Sequence, residues 1–288
     1  MPTNAPPPEF KIVPIDAIHP HEEYDSQILL EITNSLRVEG KLHDPLLISS
    51  DNCVIMDGTH RYWALTRLHC RSVPVAIYSY SSEYVGIGCW YRCLDRMPDF
   101  EFSSILKGEV TSRERGLEAL RERQSLLAII NMNHSFNVPS NNFNIFEAYS
   151  LLSLLECGLR GRHFDINYAT ERDALDLLDS GKIGAILAPP PILKEEVVRA
   201  ATSGINFPIK STRHIINPRP IGLDIPLKWL NDPLEDAETR LKELLMRGHF
   251  RVMPSGSKIN GRRYEEEVYI FEPKPFEGDR DHGNLNKN

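Results

Sequence analysis

The sequence predicts an α+β fold, with a compact module over residues 10–80 and a second α/β domain over residues 81–272. Three observations carry this. Short apolar runs rich in Val and Ile are interleaved with helical-period segments throughout the first 80 residues. The same strand-like and helix-like alternation returns over residues 164–204. No internal repeat or sustained heptad interrupts either stretch.

In the first module, "FKIVPI" (10–15) reads as a strand and "DAIHPHEEYD" (16–25) as a loop. Ile28, Leu29, Ile32 and Leu36 recur at helical spacing, with Gly40 as a stop. "PLLIS" and "CVIM" form a hairpin-like pair of strands. A helix follows with Tyr62, Leu65 and Leu68 on one face, and "VPVAIYSY" (73–80) closes the module as a strand. Beyond it, "GIGCWYRCL" reads as one strand, "SRERGLEALRERQSLL" as a charged amphipathic helix with a solvated face, and "AIINMNHSFNV" as strand and turn. "NIFEAYSLLSLLECG" reads as a helix ending at Gly158. Residues 164–204 read as strand, helix capped near Thr170, strand "IGAILA", proline-rich turn, and helix to Gly204. The helix "EDAETRLKELLM" and the strand "EEVYIF" complete the pattern, and residues 273–288 read as a polar, disordered tail.

With 288 residues, 41% hydrophobic and 25% charged, the chain has room for one large domain or two modest ones. Its net charge of −7 argues against nucleic-acid binding by a general basic surface. No apolar run approaches the roughly 18 residues that cross a bilayer, so no membrane partner is expected. Residues 1–9, "MPTNAPPPE", lack a basic start and an apolar core and read as a flexible lead-in, not a secretory signal. The five cysteines form no CxxC pair and read as buried reduced thiols, which suits a cytoplasmic protein.

Three stretches concentrate chemistry. In "VIMDGTHRYWAL" (54–65) a strand meets a helix across Asp57, Gly58, Thr59, His60 and Arg61. A helix N-terminus offers unpaired N–H groups to phosphate, and glycine lets the backbone approach closely. Thr59 can cap and donate, and His60 and Arg61 add charge-assisted donors. Asp57 could hold magnesium or orient the arginine. The plain alternative is a helix cap with His60 and Arg61 on an exposed face. "HPHEEYD" (19–25) gathers two histidines and three acids, with a solvated loop as its alternative. "FPIKSTRHIINP" (207–218) sets Lys210, Ser211, Thr212, Arg213 and His214 between apolar flanks, as an anion clamp requires where water is partly excluded. His43, in "HDPLL", reads as structural or as a minor contact.

Taken together, "PHE" (20–22), "DGTHR" (57–61) and "STRH" (211–214) resemble the free L-serine kinases of the ParB/sulfiredoxin-like superfamily, the group of SerK and the siderophore-associated SbnI. "RLHCRSVPV" and "LLDSGKIGAILAPPPILKEEVVRAATSG" are similar to the family's corresponding segments, and "EEVYIF" looks more like SbnI than the shorter SerK form. The resemblance covers roughly residues 10–272. It implies a ParB/sulfiredoxin-like nucleotide-binding module over 10–80, an active site in the cleft between two domains, and phosphoryl transfer from a nucleotide to the hydroxyl of L-serine. Glu22 maps onto the family's catalytic glutamate. Asp57, Gly58, Thr59, His60 and Arg61 map onto the nucleotide and phosphate contacts, and His21, Ser211, Thr212, Arg213 and His214 onto the substrate and phosphate contacts. Thr59 stands where the family varies.

In a loose phosphoryl-transfer transition state the base need only orient the hydroxyl and take its proton late. A carboxylate in a partly enclosed loop suits that role. Glu22 is the first choice, Glu23 its neighbour, and His21 an orienting group. Magnesium is the implied cofactor, with Asp57 as a candidate ligand, and ATP or ADP is the donor. The longer C-terminal segment favours ATP. The product, O-phospho-L-serine, could feed siderophore or cysteine synthesis. A sulfiredoxin would need cysteine where Thr59 stands, and a ParB-like CTPase would need a GERR-type turn and a basic helix-turn-helix. The remaining rival is a non-catalytic sensor of serine or nucleotide on the same scaffold.

Overall fold

The computed structural model describes residues 6–273. Residues 1–5 of the expected lead-in and 274–288 of the expected tail lie outside the described residues. Residues 6–8 have no regular structure, and the first strand starts at Glu9. The chain divides into two units: Met1–Ile18, Ser26–Val85 and Ile216–Asn288 form one, and His19–Asp25 with Gly86–Ile215 form the other. This corrects the expected boundaries. The second domain does not run on to residue 272, because the chain returns to the first unit at Ile216, and the loop of Glu22 belongs to the second unit.

The first unit contains a four-stranded sheet. Strand Glu9–Pro14 runs antiparallel to Ser72–Tyr78, which lies parallel to Leu46–Ser49, itself antiparallel to Ile55–Asp57. Helices Ser26–Glu39 and Thr59–Arg67 pack on one another. All four residues of Leu46–Ser49 and six of the seven in Ser72–Tyr78 are buried, which explains why both read as nearly continuous apolar runs. The C-terminal part adds helix Leu234–Met246 and a three-stranded sheet. In that sheet Val268–Pro273 is parallel to Arg219–Ile221 and antiparallel to Gly248–Met253. Leu223, Ile225, Leu230, Leu241 and Phe271 share a core with Ile12, Leu46, Ile55, Leu65 and Val75. That common core is the physical reason for the return, since an apolar face is stabilised only where it is covered.

The second unit is built on a six-stranded sheet in the order Ile166–Ala169, Tyr91–Leu94, Ala185–Ala188, Ser125–Ile130, Ser135–Pro139, Glu109–Thr111. Every neighbouring pair is antiparallel. The strand-helix-strand run expected over 164–188 does form, with Thr170 Oγ1 accepting from the Asp173 N–H at 3.2 Å to cap the helix. Its two strands are parallel to each other, but Tyr91–Leu94 lies between them, so the unit is a split βαβ arrangement.

Three local expectations change. The helix read over 112–127 is only Arg113–Arg121, with Arg123 at φ +60° after it. Leu126 and Leu127 belong to strand Ser125–Ile130, whose six residues are all buried. "GIGCWYRCL" is two strands: Val85–Cys89 pairs with Thr212–Ile216, and Tyr91–Leu94 enters the six-stranded sheet. Helix Ile145–Gly161 runs past Gly158, whose Cα faces open space, because Leu159 is buried in the following turn. All five cysteines are free; Cys70 and Cys93 are buried as expected, but Cys157 is exposed. No helix among the described residues is long and apolar enough to cross a membrane.

Candidate active site

In the second unit the acidic loop is anchored through Phe207, which is 1% exposed, stacked on Phe146 and edge-on to Tyr149. The Phe207 N–H donates to the His21 carbonyl, and the Glu23 N–H donates to the Phe207 carbonyl, both at 2.8 Å. Glu22 is thereby held between two backbone hydrogen bonds. Its Oε1 accepts from the Thr212 N–H, and from the Thr212 hydroxyl at 2.5 Å. The Thr212 Oγ1 also meets His21 Nε2 at 2.9 Å. Since the one hydroxyl proton goes to Glu22, His21 Nε2 is the donor in that contact.

Glu22 is half-buried, and loss of water around its carboxyl pushes its pKa up to about 7. The two Thr212 hydrogen bonds and the charges of Lys210 and Arg92 pull it down by less. A carboxylate that titrates near neutrality and has a second oxygen to offer suits proton transfer. Glu23 is exposed, so the choice between neighbours falls on Glu22.

Thr212–Ile216 is a strand, and its alternation separates the residues of the "STRH" run. Thr212 and His214 share one face, where the His214 ring meets His21 edge-on at 5.6 Å. Arg213 points to the other face, with its guanidinium 5.5 Å from the Trp90 ring, and the Lys210 ammonium lies 5.8 Å from the same ring. Ser211 departs from expectation. It is fully buried and donates its hydroxyl to the Pro208 carbonyl at 2.6 Å, which closes the turn and leaves no donor for a ligand.

In the first unit, Asp57 ends a strand and Thr59 begins helix Thr59–Arg67. Gly58 sits between them at φ +106°, and a Cβ there would come within 2.8 Å of the Arg61 guanidinium. Glycine is required on both counts. No side chain caps the helix, so neither Asp57 nor Thr59 takes the capping role. Thr59 and His60 are half-buried at this end.

Asp57 Oδ2 accepts from Arg61 Nη2 at 2.7 Å and lies 3.1 Å from Arg219 Nη1. Arg61 Nη1 stands 3.5 Å from Asp44. Asp57 Oδ2 is thus shared between two guanidinium groups, one of them that of Arg61. Among the described residues no three His, Cys, Asp or Glu side chains are grouped to hold a metal ion. Asp44, Asp57, Arg61, Arg219 and Tyr264 line a concavity of about 240 Å³, open solvent included.

Arg219, Glu266 and Asp44 were not found from the sequence. Arg219 is 5% exposed and bonded to Glu266 47 positions away, and those carboxylates hold its guanidinium firmly protonated. The contact has no local periodicity that could reveal it. His43 is structural as expected: it bridges Glu39 and Asp224 at 2.5 Å each, and the two carboxylates raise its pKa.

No family model matches the chain. It is 25% identical over 232 residues to the ATP-dependent L-serine kinase of Staphylothermus marinus, covering 76% of this chain and 90% of that protein. It is 25% identical over 236 residues to the ADP-dependent L-serine kinase SerK of Thermococcus kodakarensis, covering 77% and 93%. With the ATP-dependent L-serine kinase SbnI of Staphylococcus aureus it shares 22% identity over 285 residues, covering 91% and 97%. A solved free serine kinase mutant in complex with ADP has the same fold, with a TM-score of 0.66, 22% identity, and coverage of 80% of this chain and 96% of that one. The archaeal ATP- and ADP-dependent relatives align over nearly equal shares of this chain, so the length of the C-terminal segment does not separate the donors.

Proposed function

We propose that the chain is a free L-serine kinase that transfers a phosphoryl group from a nucleotide to the serine hydroxyl, giving O-phospho-L-serine. The observation that carries this reading is Glu22: a half-buried carboxylate, fixed by both donors of Thr212, and titrating at about 7. The names of the relatives point to the same reaction.

In this reading Glu22 accepts the serine hydroxyl proton as the O–P bond forms and the bond from phosphorus to the leaving nucleotide oxygen breaks. Thr212, with His21 behind it, keeps the accepting carboxylate in one orientation. The N-terminal end of helix Thr59–Arg67 and the Arg61 guanidinium receive phosphate oxygens, with Arg61 oriented by Asp57. Arg213 and His214 offer further anion contacts in the second unit. Magnesium belongs to the nucleotide's phosphates in this scheme, not to a ligand set on the chain. The donor is ATP, named for two of the three relatives. A cytoplasmic setting suits these substrates.

The test is incubation of the purified protein with L-serine, magnesium and either ATP or ADP, with products followed by phosphorus NMR. Phosphoserine formed with ATP supports the proposal. Turnover with ADP alone reverses the donor. Saturable serine or nucleotide binding without phosphoserine supports the sensor reading instead.

A further inference from the structure

In "CWYRCL", within an otherwise apolar strand of the six-stranded sheet, stands Arg92, whose side chain is fully buried. A buried cation in such a position costs desolvation, and an apolar side chain of the same volume often serves stability as well or better. Its contacts suggest what it does there. Nε donates to Glu156 Oε2 at 3.0 Å. Nη1 donates to the carbonyls of Trp90 at 2.8 Å and Lys210 at 3.1 Å, and Nη2 donates to the carbonyl of Ile209 at 3.2 Å. Successive carbonyls along an extended chain point in opposite directions, so collecting those of residues 209 and 210 on one guanidinium needs a sharp turn. Lys210 supplies it with φ +59°, a left-handed conformation that lysine seldom adopts. Two residues later come the Thr212 N–H and hydroxyl that hold Glu22.

We infer that Arg92, neutralised from behind by Glu156, is the positioning residue that locks turn 207–212 so that Thr212 presents both donors to the carboxylate of Glu22. This deepens, and rests on, the kinase reading above. Glu156 is itself held on its other oxygen by the Tyr168 hydroxyl and by Arg160 Nη2 at 3.0 Å. The Arg92 guanidinium also lies 5.3 Å from the Tyr168 ring. Helix Ile145–Gly161, strand Ile166–Ala169 and the catalytic turn are therefore joined through one side chain. Lysine cannot replace it: a single ammonium does not span a carboxylate and three carbonyls.

The charged and titratable groups facing Glu22 are His21 in its own loop, Lys210 in the turn, Arg92 in the sheet, and His214 edge-on behind His21. The Arg92 charge lowers the Glu22 pKa, so its removal is expected to raise the midpoint, and loss of the Glu156 charge that neutralises Arg92 is expected to do the reverse. The experiment measures serine kinase kinetics against pH for full-length wild type, Arg92→Met, Arg92→Lys and Glu156→Gln. In parallel the Glu22 carboxyl, assigned with Glu22→Gln, is titrated by carbon-13 NMR.

Arg92→Met is expected to lower kcat roughly 10- to 100-fold with both KM values within about threefold, and to move the Glu22 midpoint up by about half to one pH unit. Arg92→Lys is expected to retain much of the wild-type midpoint without recovering kcat. Glu156→Gln, which keeps a planar hydrogen-bonding group in place, is expected to move the midpoint down, and it decides the matter alone if Arg92→Met does not fold. Midpoints that stay at the wild-type value in every folded variant, or that move the same way in Arg92→Met and Glu156→Gln, overturn the inference. Should wild type make no phosphoserine, the kinase reading fails, while the NMR titrations still judge the positioning role.

Discussion

Two acidic side chains at the ends of this argument, Glu22 and Asp57, face opposite surroundings. Glu22 is half-buried and hydrogen-bonded by a neutral threonine, with burial raising its pKa to about 7. Asp57 contacts two guanidinium groups and spends its charge on orienting them. In the proposed reaction the same carboxyl chemistry serves as a proton acceptor in one place and a scaffold for cations in the other, and environment decides which. Division of labour between a base and a phosphate clamp is what phosphoryl transfer to an alcohol requires.

The largest expected effect breaks the comparison at Glu22. Glu22→Gln keeps the shape but cannot accept a proton, so kcat should fall about 10²- to 10⁴-fold. Nucleotide affinity, read by calorimetry, should stay within about threefold. An equal loss of nucleotide binding would place Glu22 in the clamp instead.

Arg61→Ala attacks the other side. Removing a preorganised cation from the transferred phosphoryl should cost about 10²- to 10³-fold in kcat/KM for the nucleotide. The midpoint of the pH–rate profile should stay where Glu22 sets it. A shifted midpoint would mean that the clamp tunes the base directly.

Thr212→Val sharpens the comparison more finely. It deletes the hydroxyl donor to Glu22 but keeps the N–H. The carboxylate loses stabilisation, its pKa rises, and the pH–rate midpoint should move up by about half to one unit. At pH 7 that lowers turnover roughly two- to sixfold.

A stability measurement probes the same group without substrate. The folded pKa of Glu22, about 7, lies above its ordinary value of 4.5, so the folded state binds the proton more tightly than the unfolded one. The stability contributed by Glu22 is therefore fully present below about 4.5, declines as pH rises through that window, and is lost above about 7. Glu22→Gln removes this dependence. Its unfolding free energy relative to wild type should grow by about 1–3 kcal/mol between pH 5 and pH 8, read from urea melts. The smallest expected effect is Gly58→Ala, which places a side chain at φ +106° and should destabilise the first unit by about 1 kcal/mol in the same melts.

What was legible in the sequence follows from range. The helix stops at Gly40 and Gly204, the Thr170 cap and the strand-to-helix turn at Gly58 are signals carried within four or five residues, and all were readable. Glu22 and Thr212 were each found locally, although only the fold brings them together across 190 positions. Arg92 escaped because a lone arginine in an apolar strand gives no pattern; two of its three carbonyl partners lie 117 and 118 positions away. The helix read over 112–127 overran because Leu126 and Leu127 continue the spacing of Leu117 and Leu120 while belonging to a buried strand. The domain boundary was misplaced for a similar reason. Apolar residues after Ile216 announce a core without saying that it is the one shared with Ile12 and Val75.

The most direct measurement is the rate of phosphoserine formation by wild type from pH 5 to pH 9 at saturating serine and nucleotide. The account predicts a rate that rises with pH and reaches half its plateau near 7, with the rise abolished in Glu22→Gln. A rate independent of pH across that range, or a Glu22→Gln variant as active as wild type, would contradict it.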